Sequence, residues 1–390
     1  MWLHRYTLLA WAALAVLPGR GPAAEAPGEV SVADTGSAIS PATWECTPGH
    51  PVAKRTITLQ SGEKTYAFGI SGCQDPSHEG KHPCAEGNFG MPAPSSANWY
   101  WGGFLRAMVN GSDATVCDIR DLRVLEVGAR GAFQIVWAHP DAEVGLRLMM
   151  QPGANHVEGQ LVWKPQPDKT VQAISVQLTC YPSFFTAARN RQGERHCQTP
   201  RVDQAEPTTL EIRPGQDTYL YYYDAVFDVA KGEGDGPCAV VLDTAAIQGG
   251  RVEIGGYAVL TSLDLKPEVG EARLALYDFT GSTNAKAEEY LKSRATADLD
   301  ELLQADFRPG PVRLLEPDRL RAEALKILED AGEDGKALEG RVHELLSKID
   351  AQKAAADGGD WIAEADLATA LTDSQDLFWK LRTFAALNSP

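Results

Sequence analysis

From about residue 52 to about 280, apolar side chains recur at every second position, and that period restricts what this chain can fold into. In TVQAISVQLTC, Ile174, Val176, Leu178 and Cys180 alternate with Ser175, Gln177 and Thr179, as in a strand that buries one face and wets the other. EVGLRLMM repeats the pattern with Val144, Leu146, Leu148 and Met150, and GAFQIVW with Phe133, Ile135 and Trp137. RTITL, KTYAFGI, GFLRAMVNG, HVEGQLVW, LEIR, TYLYYYDAVF, CAVVLD, GYAVLTSLDL and ARLALYDF are further strand segments. Turn chemistry separates them, at Asn110-Gly111, Gln151-Pro152-Gly153 and Pro165-Gln166-Pro167-Asp168 for example. Many short strands with no helical period between them predict a mainly β fold, an antiparallel β-sandwich over residues 52–282. Residues 85–103, rich in Gly, Pro and Ser, read as an extended loop.

Near Gly281 the period changes to that of a helix. NAKAEEYLKSRATADLDELLQADF sets Tyr290, Leu291, Leu299, Leu302 and Leu303 on one stripe, which Pro309, Gly310 and Pro311 interrupt. EPDRLRAEALKILEDAG and KALEGRVHELLSKIDAQ read as two more helices, separated near Gly332. After Gly358-Gly359, two short helices are expected, capped near Asp360 and near Thr372 or Asp373. Residues 283–390 are therefore an α-helical C-terminal region.

At the other end, Arg5 precedes the apolar run YTLLAWAALAVL, and small residues follow in GPAAEA. This is the pattern of a secretory signal peptide over residues 1–24, with an N-terminal extension over 25–51. The apolar run is shorter than a membrane span needs and no later segment is long enough, so a secreted or periplasmic chain is expected. That compartment permits disulfides, and Cys73 with Cys84 and Cys180 with Cys197 are the candidate pairs among seven cysteines. An excess of 53 acidic over 36 basic residues, a formal net charge of −17, argues against nucleic acid and anionic membranes as partners. Oligomeric state is not legible.

Cys73, His78, His82 and Cys84 have the composition of a zinc site, but C-x4-H-x3-H-x-C matches no standard spacing, and Pro76, Gly80 and Pro83 make the segment a loop. A Cys73–Cys84 disulfide beside two histidines is the simpler expectation, with no metal and no cofactor. Trp99 and Trp101 share a face if their segment is extended, and Tyr219, Tyr221 and Tyr223 form a ladder, both arrangements on which a sugar ring can stack. Asp224 and Asp228 invite comparison with the paired carboxylates of glycosidases. There is no G-x-S-x-G, no phosphate-binding glycine loop and no H-E-x-x-H, so no catalytic residue is assigned. The densest run of arginine lies in CYPSFFTAARNRQGERHCQTPR, residues 180–201. Phe184, Arg189, Arg191, Arg195 and His196 would there be displayed on a loop stapled by Cys180 and Cys197, with guanidinium forks suited to carboxylate or sulfate.

The run from NWYWGGFLRAMVNG through HVEGQLVWKP to ISVQLTCYPSFF, about residues 98–185, resembles secreted bacterial β-sandwich proteins and, more distantly, galactose-mutarotase-like supersandwich domains. The resemblance implies a fold that binds or rearranges carbohydrate. The His and Glu pair of mutarotases has no counterpart that can be placed, so no catalytic residue carries over. The first expectation is a secreted carbohydrate-binding protein for an anionic polysaccharide or oligosaccharide. The alternatives are a carbohydrate-active lyase, hydrolase or mutarotase using His196, Tyr223 or Asp224, and a cell-envelope scaffold that binds protein through its helical tail.

Overall fold

The computed structural model describes residues 28–42, 46–78, 89–183, 192–314 and 317–388. The expected signal peptide lies outside them, as do His82, Cys84, Phe184, Arg189 and Arg191 among the candidate residues. The first strands are β1 (Val30–Asp34), β2 (Ala38–Pro41), β3 (Pro51–Ser61), β4 (Lys64–Cys73), β5 (Phe89–Ala93), β6 (Leu105–Val109) and β7 (Ser112–Asp113). Next come β8 (Ile119–Glu126), β9 (Gly131–Ala138), β10 (Ala142–Met150), β11 (His156–Pro165), β12 (Ile174–Cys180), β13 (Arg195–Gln198) and β14 (Asp203–Ala205). The last are β15 (Thr208–Glu211), β16 (Tyr219–Asp224), β17 (Cys238–Leu242), β18 (Ile247–Ile254), β19 (Val259–Leu265) and β20 (Glu271–Asp278). Four helices follow: α1 (Asn284–Gln304), α2 (Gly310–Leu314), α3 (Pro317–Asp357) and α4 (Trp361–Asn388).

Strands hold 42% of the chain and helices 26%, an antiparallel β-sandwich with a helical region after it, as the change of period predicts. A nine-stranded sheet runs β14-β13-β16-β17-β20-β11-β10-β9-β8, a six-stranded sheet β15-β18-β19-β12-β6-β7, and a smaller sheet β1-β3-β4-β5 with β2 also on β3. The alternating apolar positions of the two larger sheets meet in the main core, where Phe133, Ile135, Leu146, Val176, Leu178, Val240 and Leu276 are buried. α1 lies on the outer face of the nine-stranded sheet and buries Leu291, Ala295 and Leu302 against Tyr221, Ala275 and Tyr277. α3 and α4 pack on each other through Leu320, Val342, Leu346, Ile349, Leu367 and Leu371.

Several local expectations differ from what is observed. FGMPA, in the stretch read as a loop, is β5, hydrogen-bonded to β4. Arg195 to Gln198 is not a displayed loop but β13, paired with β16, with Arg195 and Cys197 turned inward and His196 and Gln198 outward. α3 runs uninterrupted for 41 residues through Gly332. A helical glycine costs about 1 kcal/mol, and packing against α4 outweighs it. α4 is one helix rather than two: Asp360 caps its start by accepting from the Ala363 N–H, while the Thr372 hydroxyl donates back to the Ala368 carbonyl instead of opening a second helix.

The Cys180–Cys197 staple is also corrected. Cys180 and Cys197 are both free, buried thiols, as is Cys73. β12 belongs to the six-stranded sheet and β13 to the nine-stranded one, so these sulfurs enter the core from opposite layers beside Cys238 and act as small apolar side chains. Burial pushes the Cys197 thiol well up.

Candidate ligand-binding cleft

Trp99 and Trp101 part company. Their segment is a turn rather than a strand, with a single bridge from Trp99 to Cys180. The Trp99 side chain is fully buried and its indole N–H donates to the Tyr277 carbonyl at 2.9 Å, whereas Trp101 is 42% exposed. Trp99 is thus a core residue and cannot stack on a ligand.

The tyrosine ladder exists, and it ends on His196. Tyr221 stacks on Tyr223 with ring centroids 5.2 Å apart, and Tyr223 on His196 at 4.6 Å. Strand alternation and the β13–β16 register place these three side chains on the outer face. α1 then closes the lower end, so Tyr221 is buried and its hydroxyl donates to the Asn284 carbonyl. At the upper end the two His196 nitrogens lie 3.0 Å from Asp203 and 3.0 Å from Glu194, and the Tyr223 hydroxyl donates to Asp203 at 2.6 Å. Desolvation and the neighbouring Asp203 carboxylate push the Tyr223 phenol up. This is an acidic, internally bonded patch.

Arg195 is fully buried, donating to the Gly256 carbonyl at 2.6 Å with its Nη1 3.7 Å from Glu206, so its charge faces the protein's own carboxylate and not a ligand. Asp224 is equally buried and accepts from the backbone N–H groups of Val226 and Phe227, which makes it the support of a turn. Asp228 opens the short turn at Val229–Lys231 by accepting from the Ala230 N–H. His78 lies in the turn Pro76–His78, while Cys73 meets different neighbours, Cys46 and His50.

Two concave regions present polar groups that the sequence did not single out. The larger is a cleft of about 770 Å³ between the first sheet and β8, lined by Lys54, Arg55, Gln74, Asp75, Asp118 and Arg120 among others. Arg55 stitches it together by donating to Asp34 and, through Nη1, to the Leu122 carbonyl at 2.9 Å. That hydrogen-bonded pairing holds the Asp34 carboxyl below the usual range. Arg120 stands half-exposed at the rim, paired with Glu143 at 2.7 Å.

The second region lies on the outer face of the nine-stranded sheet. Arg123 pairs across to Gln134, Gln134 to Arg147, Arg147 to Gln160 and Gln160 to Arg273, one polar residue from each of five adjacent strands in a row. Each looks in sequence like the wet phase of a half-buried strand. The register, which sequence does not reveal, aligns them, and the helical region then covers them. Arg147 donates to Gln134 at 3.1 Å, pairs with Glu364 of α4 at 2.5 Å and lies 4.0 Å from the Trp361 ring centroid, leaving its Nη2 without a partner. Gly145 makes room for that ring, since a Cβ there would stand 2.8 Å from it. Next to the row, a cavity of about 490 Å³ is lined by Glu126, Arg130, Gln151, Glu158, Glu301 and Arg313 among others.

Glu158 is 3% exposed and its Oε2 has no partner; burial pushes its carboxyl up to about 7, offset in part by a hydrogen bond from Gln151. A carboxyl that titrates near neutrality can both give and take a proton. On the same face, burial pushes His156 down to about 4. The signs oppose each other. Between the ordinary glutamate value and about 7 the unfolded chain has lost the Glu158 proton and the folded one retains it, so stability falls as pH rises. For His156 the unfolded chain binds the extra proton between about 4 and the ordinary 6.5, so stability there rises with pH. The Glu158→Gln variant isolates the first effect. Urea unfolding should find it more stable than wild type by about 3 kcal/mol at pH 8 and nearly equal at pH 4, since each tenfold change in proton affinity on folding is worth roughly 1.4 kcal/mol. An unchanged difference between the two pH values would refute a raised Glu158.

No protein-family model matches the chain, and no curated protein does. Solved structures similar to it include a GH36 α-galactosidase variant from Geobacillus stearothermophilus in complex with stachyose, at 12% identity and a TM-score of 0.33. That match covers 58% of this chain and only 41% of the α-galactosidase. A Klebsiella pneumoniae protein described as an aldose 1-epimerase aligns over 68% of this chain and 95% of its own, at 9% identity and a TM-score of 0.38. A TPR-domain containing protein from Parabacteroides distasonis aligns over 93% of this chain and 80% of its own, at 11% identity and a TM-score of 0.36. No residue role or activity is carried over from them.

Proposed function

We propose that this protein binds a carbohydrate outside the cytoplasm, in the cleft between the first sheet and β8. The observation that carries the reading is the cleft itself: about 770 Å³, with amide, carboxylate, ammonium and guanidinium groups converging on one concavity. Ligand sites occupy roughly 300–1,000 Å³ and orient what they hold with a few placed polar groups. Sugar hydroxyls, which both donate and accept, suit such a lining of mixed charge. An anionic preference draws no support from Arg195, which is spent internally. The cleft presents Lys54, Arg55 and Arg120 against Asp75 and Asp118, with Arg55 paired to Asp34 and Arg120 to Glu143, a lining of mixed charge.

Calorimetric titration with neutral, uronate and sulfated oligosaccharides tests this reading. At least one class should bind, and Arg120→Ala and Gln74→Ala should each weaken it about 10-fold, the worth of one hydrogen bond of roughly 1.4 kcal/mol. Absence of binding to every class, or affinities unchanged in both variants, would overturn it.

A second reading, a carbohydrate-active enzyme, is favoured by Glu158, a buried carboxyl poised near 7 beside a cavity. In it Glu158 serves as general acid or base.

A further inference from the structure

Cys46 and Cys73 meet at one end of the first sheet. Cys73 ends β4 and Cys46 lies in the turn that leads into β3, and their sulfurs are 3.3 Å apart with no bond between them. Cys46 is disulfide-bonded, whereas Cys73 carries a free thiol. The other described cysteines are free as well, so the sulfur that Cys46 holds lies outside the described residues. A free thiol is therefore in contact with one sulfur of a disulfide, inside the roughly 3–3.5 Å at which oriented reactants sit before they react. His50 Nδ1 lies 3.9 Å from Cys73 Sγ and 3.7 Å from Cys46 Sγ. Its Nε2 faces the Asp75 carboxylate at 3.9 Å, a charge that favours the ring proton on Nε2 and leaves the Nδ1 lone pair turned to the sulfurs. Cys46 and Cys73 are 8% and 3% exposed and pack with Ala42 and Val52, so thiols from solution are kept away from Cys46 while Cys73 is already against it.

We propose that Cys73 is the nucleophile of an internal thiol–disulfide exchange, in which it takes Cys46 from its present partner with His50 as the base. His50 removes the Cys73 proton, because the thiolate is the attacking form. That thiolate attacks Cys46 Sγ, a Cys46–Cys73 bond forms as the existing disulfide breaks, and the released sulfur leaves with the electron pair and takes the proton back from His50. Cys73 is oxidised and the released cysteine reduced to the same extent, so the chain neither gains nor loses electrons and no outside oxidant or reductant takes part. Cys180, Cys197 and Cys238 are also buried in one core, but all three are thiols, and exchange cannot begin without a disulfide. The new bond ties the turn before β3 to the end of β4, where Cys73, Gln74 and Asp75 line the large cleft, and so alters how one wall of that cleft is tethered. In sequence Cys73 had a nearer candidate in Cys84, and only the pairing of β3 with β4 brings the turn that holds Cys46 back to it.

The test holds the folded, oxidised full-length chain in mild alkali with N-ethylmaleimide, quenches samples with acid and digests them with pepsin without reduction. Mass spectrometry should find a Cys46–Cys73 cross-link that grows with time, matched one for one by maleimide on the cysteine that Cys46 releases. The rate should not depend on protein concentration, as an internal reaction requires. Cys73→Ser should show neither the cross-link nor the matching maleimide, and His50→Gln should form the cross-link at least about 10-fold more slowly, since a general base is typically worth about 10²–10⁴-fold. Far-UV circular dichroism of each variant shows whether the β fold is retained, and His50→Asn serves if His50→Gln is not folded. The proposal is overturned if maleimide reaches Cys73 while Cys46 keeps its first disulfide, if no Cys46–Cys73 cross-link appears, if its rate rises with protein concentration, or if it forms equally fast without the imidazole.

Discussion

Arg147→Ala will destabilise the protein by about 3–5 kcal/mol and release the start of α4 from the nine-stranded sheet. The guanidinium is 2% exposed and pairs with Glu364, whose own side chain is only 12% exposed. Burial pulls the arginine pKa below its ordinary value and the Glu364 charge opposes that pull, so each ion is tolerable inside only because of the other. Truncation therefore strands a carboxylate, takes a donor from Gln134 and removes the cation from the Trp361 ring. Urea unfolding followed by tryptophan fluorescence gives the loss, and hydrogen exchange across Trp361–Leu371 shows whether it is local. Replacing both partners, Arg147→Met with Glu364→Leu, should recover most of it, because neither charge is then left unpaired. A loss below about 1 kcal/mol in the single variant would mean that other contacts, such as the Arg123–Asp366 ion pair and the apolar packing on α3, hold α4 without this pair.

Trp99→Ala is expected to cost about 3–5 kcal/mol, the range for emptying the site of a large buried aromatic. Its ring meets Phe104 and Tyr222 edge-on at 6.1 and 5.9 Å, and its N–H satisfies the Tyr277 carbonyl that would otherwise be left buried without that donor. Trp101→Ala, two residues away, should stay within about 0.5 kcal/mol of wild type, since its side chain is 42% exposed. Chemical denaturation of the pair reads the contrast directly. Equal losses in the two variants would contradict the placement of one indole in the core and the other at the surface.

That contrast also shows where the sequence was readable. Period two in ISVQLTC, EVGLRLMM and GAFQIVW is a property of single strands, so it survives without knowledge of partners, and β12, β10 and β9 appear where it predicts them. The short strands β13 and β14 carry too few alternations to register, and RHCQ passed for loop because its arginine looked like surface. Arg195 is buried because Glu206 is there to meet it, a contact between β13 and the chain just after β14 that no local pattern announces. The same holds for Gly332, where a local rule for ending helices lost to the packing of α3 against α4.

Sequence by itself determined the fold class, the position near Gly281 where strands give way to helices, and the inward phase of Cys180, because each depends only on the order of polar and apolar residues along one element. Tertiary structure decided which side chains meet. Strand register lined up Arg123, Gln134, Arg147, Gln160 and Arg273, the pairing of β13 with β16 carried Cys197 into the core as a free thiol, and chain reversal brought His50 and Cys46 to Cys73. Such encounters depend on packing between elements distant in the chain, so reading neighbours in sequence does not reveal sites assembled across strands.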